Sequence, residues 1–122
     1  MDLMHMCAIR GAICVDGDDP RLIDEAACKL YSQLLEKNAL DEGDVSCLLI
    51  TQTNDLKSRN PATGLRKGGF CATTPLFCMQ ELEIEGMLER VIRMLLVVGH
   101  PMNQSVPVFL DGAQRLRPDL QL

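Results

Sequence analysis

Aromatic side chains are nearly missing from this chain of 122 residues: they make up 3%, with one tyrosine, three phenylalanines and no tryptophan. A core built without them must rest on Leu, Ile, Val, Met, Ala and Cys. Positive charge is also in the minority, with 12 Lys and Arg against 17 Asp and Glu and a formal net charge of −5. That balance argues against nucleic acid as a partner, because phosphate binding needs a basic surface. Nor does it steer small anions in general, so an anionic ligand would need a local cluster of arginines. No apolar stretch reaches the roughly 18 residues that cross a bilayer, and no membrane partner is expected. The opening MDLMHMCAIRG has neither a basic segment followed by a long apolar one nor a cleavage site, so no signal peptide is expected. The six cysteines (Cys7, Cys14, Cys28, Cys47, Cys71 and Cys78) include no CxxC pair. His5 and His100 lack cysteine or acidic partners at ligand spacing. The expectation is free thiols in a reducing cytoplasm, with neither a disulfide framework nor a metal site.

What is present fits one globular domain spanning residues 1–122, with hydrophobic residues at 47% and charged ones at 24%. MCAIRGAICV, residues 6–15, reads as a first strand, with Ile9, Ile13 and Val15 on one face and Ala8, Arg10, Ala12 and Cys14 on the other. Arg10 is flanked there by small side chains, which leave space around its head group for an anion. Residues 18–38 read as the clearest helix: Asp18 or Asp19 caps it, Pro20 suits its first turn, and Leu22, Ile23, Ala26, Ala27, Leu30, Tyr31, Leu34 and Leu35 form one apolar stripe. DVSCLLITQT, residues 44–53, reads as a strand apolar on both faces and hence covered on both. The next segment is polar and rich in turn formers, and it carries Lys57, Arg59, Arg66 and Lys67. It reads as a loop, with room for a short helical turn after Pro61. Residues 72–84 read as extended, residues 86–98 as a helix opened by Gly86, and VPVFLDGAQRLRPDLQL as a strand with a short tail. The loose alternation of strands and helices indicates an α/β pattern.

Arg93, between Ile92 and Met94 with Leu95 and Leu96 following, raises the sharpest question. On a helix it would pair with Glu89 at i,i+4 on the surface. Yet its face continues into Leu96 and Val97, which favours a partly buried arginine with an anionic partner, since an unpaired buried charge is costly.

Four short motifs in series make the chain familiar: IRGA after the first strand residues, CMQE ahead of a glycine, IR around Arg93, and a terminal LRPDL. Together, in order and at matching spacing over nearly the whole chain, they resemble the small monofunctional chorismate mutases, the compact trimeric class with an α/β barrel-like fold, which implies an α/β (α+β) architecture with a mixed sheet packed with two main helices. The resemblance implies an isomerase that rearranges chorismate to prephenate on the route to phenylalanine and tyrosine, without metal, cofactor or covalent intermediate. It implies a homotrimer with sites between subunits. Such chemistry asks a protein to hold a flexible dianion in its reactive shape and to stabilise the charge growing on the ether oxygen. Arginine forks suit both tasks.

Carried over by the resemblance, Arg93 meets the ether oxygen and a carboxylate, Arg10 binds a carboxylate, and Glu81 accepts from the ring hydroxyl with Cys78 nearby. Arg66 corresponds to a mobile loop arginine that closes over the site. Ala62, Leu76 and Phe77 line the pocket, with Leu116 at the start of a C-terminal segment beside it. Phe109 stands where the family commonly has tyrosine, Thr63 where lysine is common, and Asn60 in place of an aromatic wall residue. Cys78 and Glu81, three residues apart, point to opposite faces of a regular strand. Either the chain bends near Met79 or the two serve different sites. Two alternatives stand beside the enzyme: a non-catalytic module sensing chorismate or an aromatic precursor, and an enamine/imine deaminase on a similar trimeric scaffold.

Overall fold

The computed structural model describes residues 6–120, so His5 and the last two residues lie outside the described chain. The elements are β1 (Cys7–Cys14), α1 (Pro20–Lys37), β2 (Val45–Gln52), α2 (Pro61–Lys67), β3 (Leu76–Gln80), β4 (Val91–Val98) and β5 (Val108–Leu110). Short 3₁₀ turns lie at Glu42–Asp44 and Ala113–Leu116. The strands form one sheet in the order β3-β2-β4-β1-β5. Central β4 is antiparallel to β2 and β1, whereas the outer strands β3 and β5 run parallel to β2 and β1. The sheet is mixed and packed with helices, in keeping with the α/β (α+β) expectation.

Helix α1 starts where a carboxylate can satisfy its free amides: the Asp19 side chain accepts from the N–H groups of Arg21 and Leu22 at 2.9 and 3.3 Å, and Pro20 takes the first helical position. Its stripe of Ile23, Ala27, Leu30, Tyr31 and Leu34 is fully buried against Ile9 and Ile13 of β1, Leu48 and Ile50 of β2, and Ile92, Leu96 and Val98 of β4. Each large aliphatic chain in this layer contributes about 1.5–3 kcal/mol on burial. Helix α2 lies against α1 at Gly64, where an added Cβ would stand 2.7 Å from an Asp24 carboxylate oxygen and 2.9 Å from its Cα. Only glycine allows that approach.

The helix expected over residues 86–98 is instead the central strand β4, preceded by a turn at Ile84–Met87 in which Gly86 adopts a φ of 82°. Burial alternates along it: Ile92, Met94, Leu96 and Val98 face the helices, and Arg93, Leu95 and Val97 face away. A short apolar run cannot be assigned by period alone, and the β-branched residues at 91, 92, 97 and 98 favour a strand. The i,i+4 pair falls with the helix; Glu89 pairs with Arg90 and Arg93 with Glu81. The second helix of the fold is α2, the short turn after Pro61, so Arg66 lies in a helical last turn rather than a loop. The extended segment 72–84 is strand only over Leu76–Gln80.

Coverage of β2 on both faces is also corrected. Leu48 and Ile50 are buried under the helices, whereas Cys47, Leu49 and Thr51 are only half-buried on the other face. That second face is closed only at one end, where Ala12, Val91, Phe109 and Ala113 form a small cluster with Leu88, Leu116 and Leu120. The C-terminal segment thus folds onto the sheet face opposite the helices.

Candidate active site

On this open face, strand register sets out a row of side chains perpendicular to the strands. Thr51 pairs with Arg93, Arg93 with Ala12, and Ala12 with Phe109. On the far side Thr51 pairs with Met79, and Glu81 follows two residues later, so strand alternation gives it the same face. Its backbone N–H donates to the Gln52 carbonyl at 2.9 Å and extends the β3 ladder by one bond. The backbone therefore aligns Glu81, Thr51 and Arg93 on adjacent strands.

Their side chains meet. The Thr51 hydroxyl donates to Glu81 Oε2 at 2.6 Å, and Arg93 Nε stands 3.3 Å from the same oxygen. The Glu81 side chain is 17% exposed and that of Arg93 47%, so the acid sits deep and the guanidinium reaches outward. Around them lies a pocket of about 390 Å³ bounded also by Arg10, Leu95, Phe109, Leu116 and Arg117. In an acidic protein, three arginines around one pocket make a local site for anions.

The C-terminal segment brings its own carboxylate to this place. Arg117 donates to Asp119 through Nε at 2.9 Å and a terminal nitrogen at 2.6 Å. The Arg117 hydrogen bond pulls the Asp119 carboxyl below its ordinary range, and Arg10 adds a smaller effect of the same sign. At the other end a polar knot fixes the start of β4. Thr53 and Val91 exchange backbone and side-chain bonds at 3.0 Å. Asp55 accepts from the Thr53 hydroxyl at 2.5 Å and from the Arg90 backbone N–H at 3.1 and 3.2 Å.

Of the residues that the sequence singled out, Arg10, Glu81, Arg93, Phe109 and Leu116 share this pocket. The others do not join them within the chain. Cys78 lines a second groove of about 460 Å³ with Asn60, Pro61 and Lys57, and its thiol donates to Asn60 Oδ1 at 3.3 Å. Burial raises the Cys78 thiol, while the Ala62 backbone and the Arg66 guanidinium act in the opposite sense. Cys78, Ala62 and Arg66 thus form a second group. Asn60 caps α2 by accepting from the Ala62 N–H at 2.8 Å, so its departure from the family pattern has a local structural use. Leu76 packs half-buried against the core, and Phe77 is 63% exposed on the open side. There is no bend at Met79: the β2–β3 register runs unbroken from Leu48↔Leu76 to Gln52↔Gln80, and Cys78 and Glu81 serve opposite sides.

Sequence reading missed Thr51, Leu49, Leu95 and Arg117 as pocket residues. Arg117 lies inside the quoted LRPDL motif and could have been found there. Thr51 becomes visible only with the register.

The family model for chorismate mutase type I matches residues 6–120. The chain belongs to the chorismate mutase type I family. It is 37% identical over 116 residues to the chorismate mutase AroH of Thermus thermophilus, covering 93% of this chain and 94% of that one. To the chorismate mutase AroH of Bacillus subtilis it is 33% identical over 121 residues, covering 98% and 95%. A solved chorismate mutase from Clostridium thermocellum superposes with a TM-score of 0.84 at 34% identity, over 89% of this chain and 98% of that one. Membership makes the protein an isomerase of aromatic amino-acid biosynthesis, converting chorismate to prephenate. These likenesses support neither the deaminase nor the sensing module. Among the described residues no helix is long and apolar enough to cross a membrane.

Proposed function

We propose that the arginine-lined pocket on the open sheet face binds chorismate and carries the rearrangement. Arg93 donates to the ether oxygen as the C–O bond breaks, Arg10 takes a carboxylate, and Glu81 accepts from the ring hydroxyl. The bond changes are intramolecular, so the residues need only compact the dianion and meet the charge developing on one oxygen. The observation that carries this reading is the meeting of Arg93 and Glu81 at 3.3 Å in a pocket also lined by Arg10 and Arg117. Phe109 and Leu116 supply apolar walls, and the pocket chemistry calls for no metal or cofactor.

The second group, Cys78, Ala62 and Arg66 with Leu76 and Phe77 on the same strand, completes the site of a neighbouring subunit in a homotrimer. The open face supports this assembly: Phe77 is 63% exposed there with Met79 and Leu95 on the same face, and the segment just beyond β3 exposes Leu82 at 76% and Ile84 at 63%. Buried between subunits, such a surface drives association. The whole chain acts as one domain, and its unpaired cysteines suit the reducing cytoplasm.

The test is direct. Purified protein mixed with chorismate is followed by ultraviolet absorbance, with prephenate identified by NMR. Saturable conversion that vanishes in Arg93→Ala supports the assignment; a protein that binds or ignores chorismate without converting it overturns it.

A further inference from the structure

We propose that Thr51 is a positioning residue for the rearrangement: its hydroxyl fixes the Glu81 carboxylate by one oxygen, so that the other is presented to the ligand. The inference rests on the assignment of Glu81 and Arg93 to the chorismate site.

Glu81 stands one residue beyond β3, where its own N–H makes the last ladder bond to β2. Past that point the side chain has several free torsions, and a carboxylate held by Arg93 alone could follow the half-exposed guanidinium as it moves. Thr51 prevents this. It lies on β2 between Glu81 and Arg93, and its β-branched side chain is stiff at χ1, so the direction of the hydroxyl is set by the strand. At 2.6 Å its bond to Glu81 Oε2 falls in the charge-assisted range. Arg93 Nε approaches the same Oε2 at 3.3 Å. Two donors from two strands therefore converge on one oxygen. Oε1 is left as the acceptor for a ligand hydroxyl, and the terminal nitrogens of Arg93 are left for the ligand's anionic groups.

The test uses the full chain. Thr51→Val removes the hydroxyl and keeps the shape and strand preference; Thr51→Ala removes it with less bulk should valine disturb the fold. Thr51→Ser keeps it. The kinetic constants for chorismate are measured for each variant, alone and combined with Glu81→Ala. The expected result is a loss of about ten- to hundredfold in kcat/KM for valine and alanine, carried by kcat, as for a lost hydrogen bond to a charged group. Serine retains most of the activity. In the Glu81→Ala background the loss of the hydroxyl has no further effect, because its target is gone. An equal loss in both backgrounds would mean that Thr51 only packs the strand, and parental kinetics in Thr51→Val would also overturn the inference, while leaving the chorismate site standing. Absence of turnover in the parent chain removes the site assignment and this inference with it.

Discussion

Cys78 and Glu81 lie three residues apart along one edge of the sheet, yet the thiol meets Asn60 on the helix side while the carboxylate meets Thr51 on the open side. One chain therefore cannot bring both to a single small ligand. If neighbouring chains supply one group each, two inactive variants should rescue one another. Arg93→Ala spoils the open-face group and Arg66→Ala the helix-side group. Co-expressed in equal amounts, they should recover about a quarter of the parental activity, the share of sites that receives two intact arms at random. Mixed assemblies that stay as inactive as either variant would assign both arms to the same subunit.

Arg93 should carry the largest single effect. Arg93→Ala is expected to lower kcat by about a hundred- to thousandfold or more, the loss seen when a preorganised charge stabiliser is removed. Its half-exposed side chain adds little to the core, so Tm should hardly move. Arg93→Lys should recover little, because an ammonium is a point charge without the planar fork. Lysine activity equal to the parent would refute a role at the ether oxygen. Steady-state kinetics beside thermal denaturation separates these outcomes.

Phe109 is 93% buried yet still borders the pocket, at the end of the row Thr51–Arg93–Ala12–Phe109. Phe109→Tyr adds a hydroxyl on the ring that faces this space. The expected result is KM lowered by up to about tenfold, the worth of one neutral hydrogen bond, or left unchanged. A large fall in kcat would show that the pocket is organised differently around β5.

How β4 begins should matter as much as what it carries. Arg90, three residues before Arg93, adopts a left-handed φ of 50°, and its backbone N–H is held by the Asp55 carboxylate. A bulky residue in that region stores strain of order 1–3 kcal/mol, which the surrounding bonds must overcome. Asp55→Ala removes the acceptor for both Arg90 and the Thr53 hydroxyl. It should cost about 1–3 kcal/mol of stability and lower kcat together with Tm. An unchanged Tm would mean that the knot is supported from elsewhere.

Much of this arrangement was legible before any coordinates. Strand alternation put Arg10 on the face opposite Ile9, and the parity of Cys78 and Glu81 posed the choice between a bend at Met79 and two sites, which the unbroken β2–β3 register decides. The cap, proline and stripe of α1 identified it, and the motif series led to Arg93 and Glu81. Residues 86–98 were misread because eight consecutive apolar or arginine positions satisfy a helical period as well as a buried strand's; the β-branched residues at both ends were the better guide. Thr51 and the Thr53–Asp55–Arg90 knot were out of reach for another reason. Their meaning lies in cross-strand register, joining residues about thirty to forty positions apart, and no local pattern encodes it.

Acid should loosen the loop between β2 and α2 before it unfolds the core. Asp18, just ahead of α1, accepts from the backbone N–H groups of Lys57 and Ser58 at 2.9 Å each and so ties that loop to the helix start. The Ser58 backbone bond, foremost, pulls its carboxyl below the ordinary value of 3.8. A depressed folded value means that the ionised tether favours the folded loop above pH 3.8 and that this support is lost as pH falls through the lowered value. Asp18→Asn should abolish that acid dependence while leaving a weaker neutral acceptor. Hydrogen exchange at the Lys57 and Ser58 amides, followed by NMR as pH falls, reads the effect at the bonds themselves. In the parent, protection of these two amides should fall at acid pH while that of core amides such as Ile92 and Leu96 persists; in Asp18→Asn it should already be low near neutrality. Protection in the variant equal to the parent's at every pH would mean that the loop is held by its other contacts and that Asp18 is incidental.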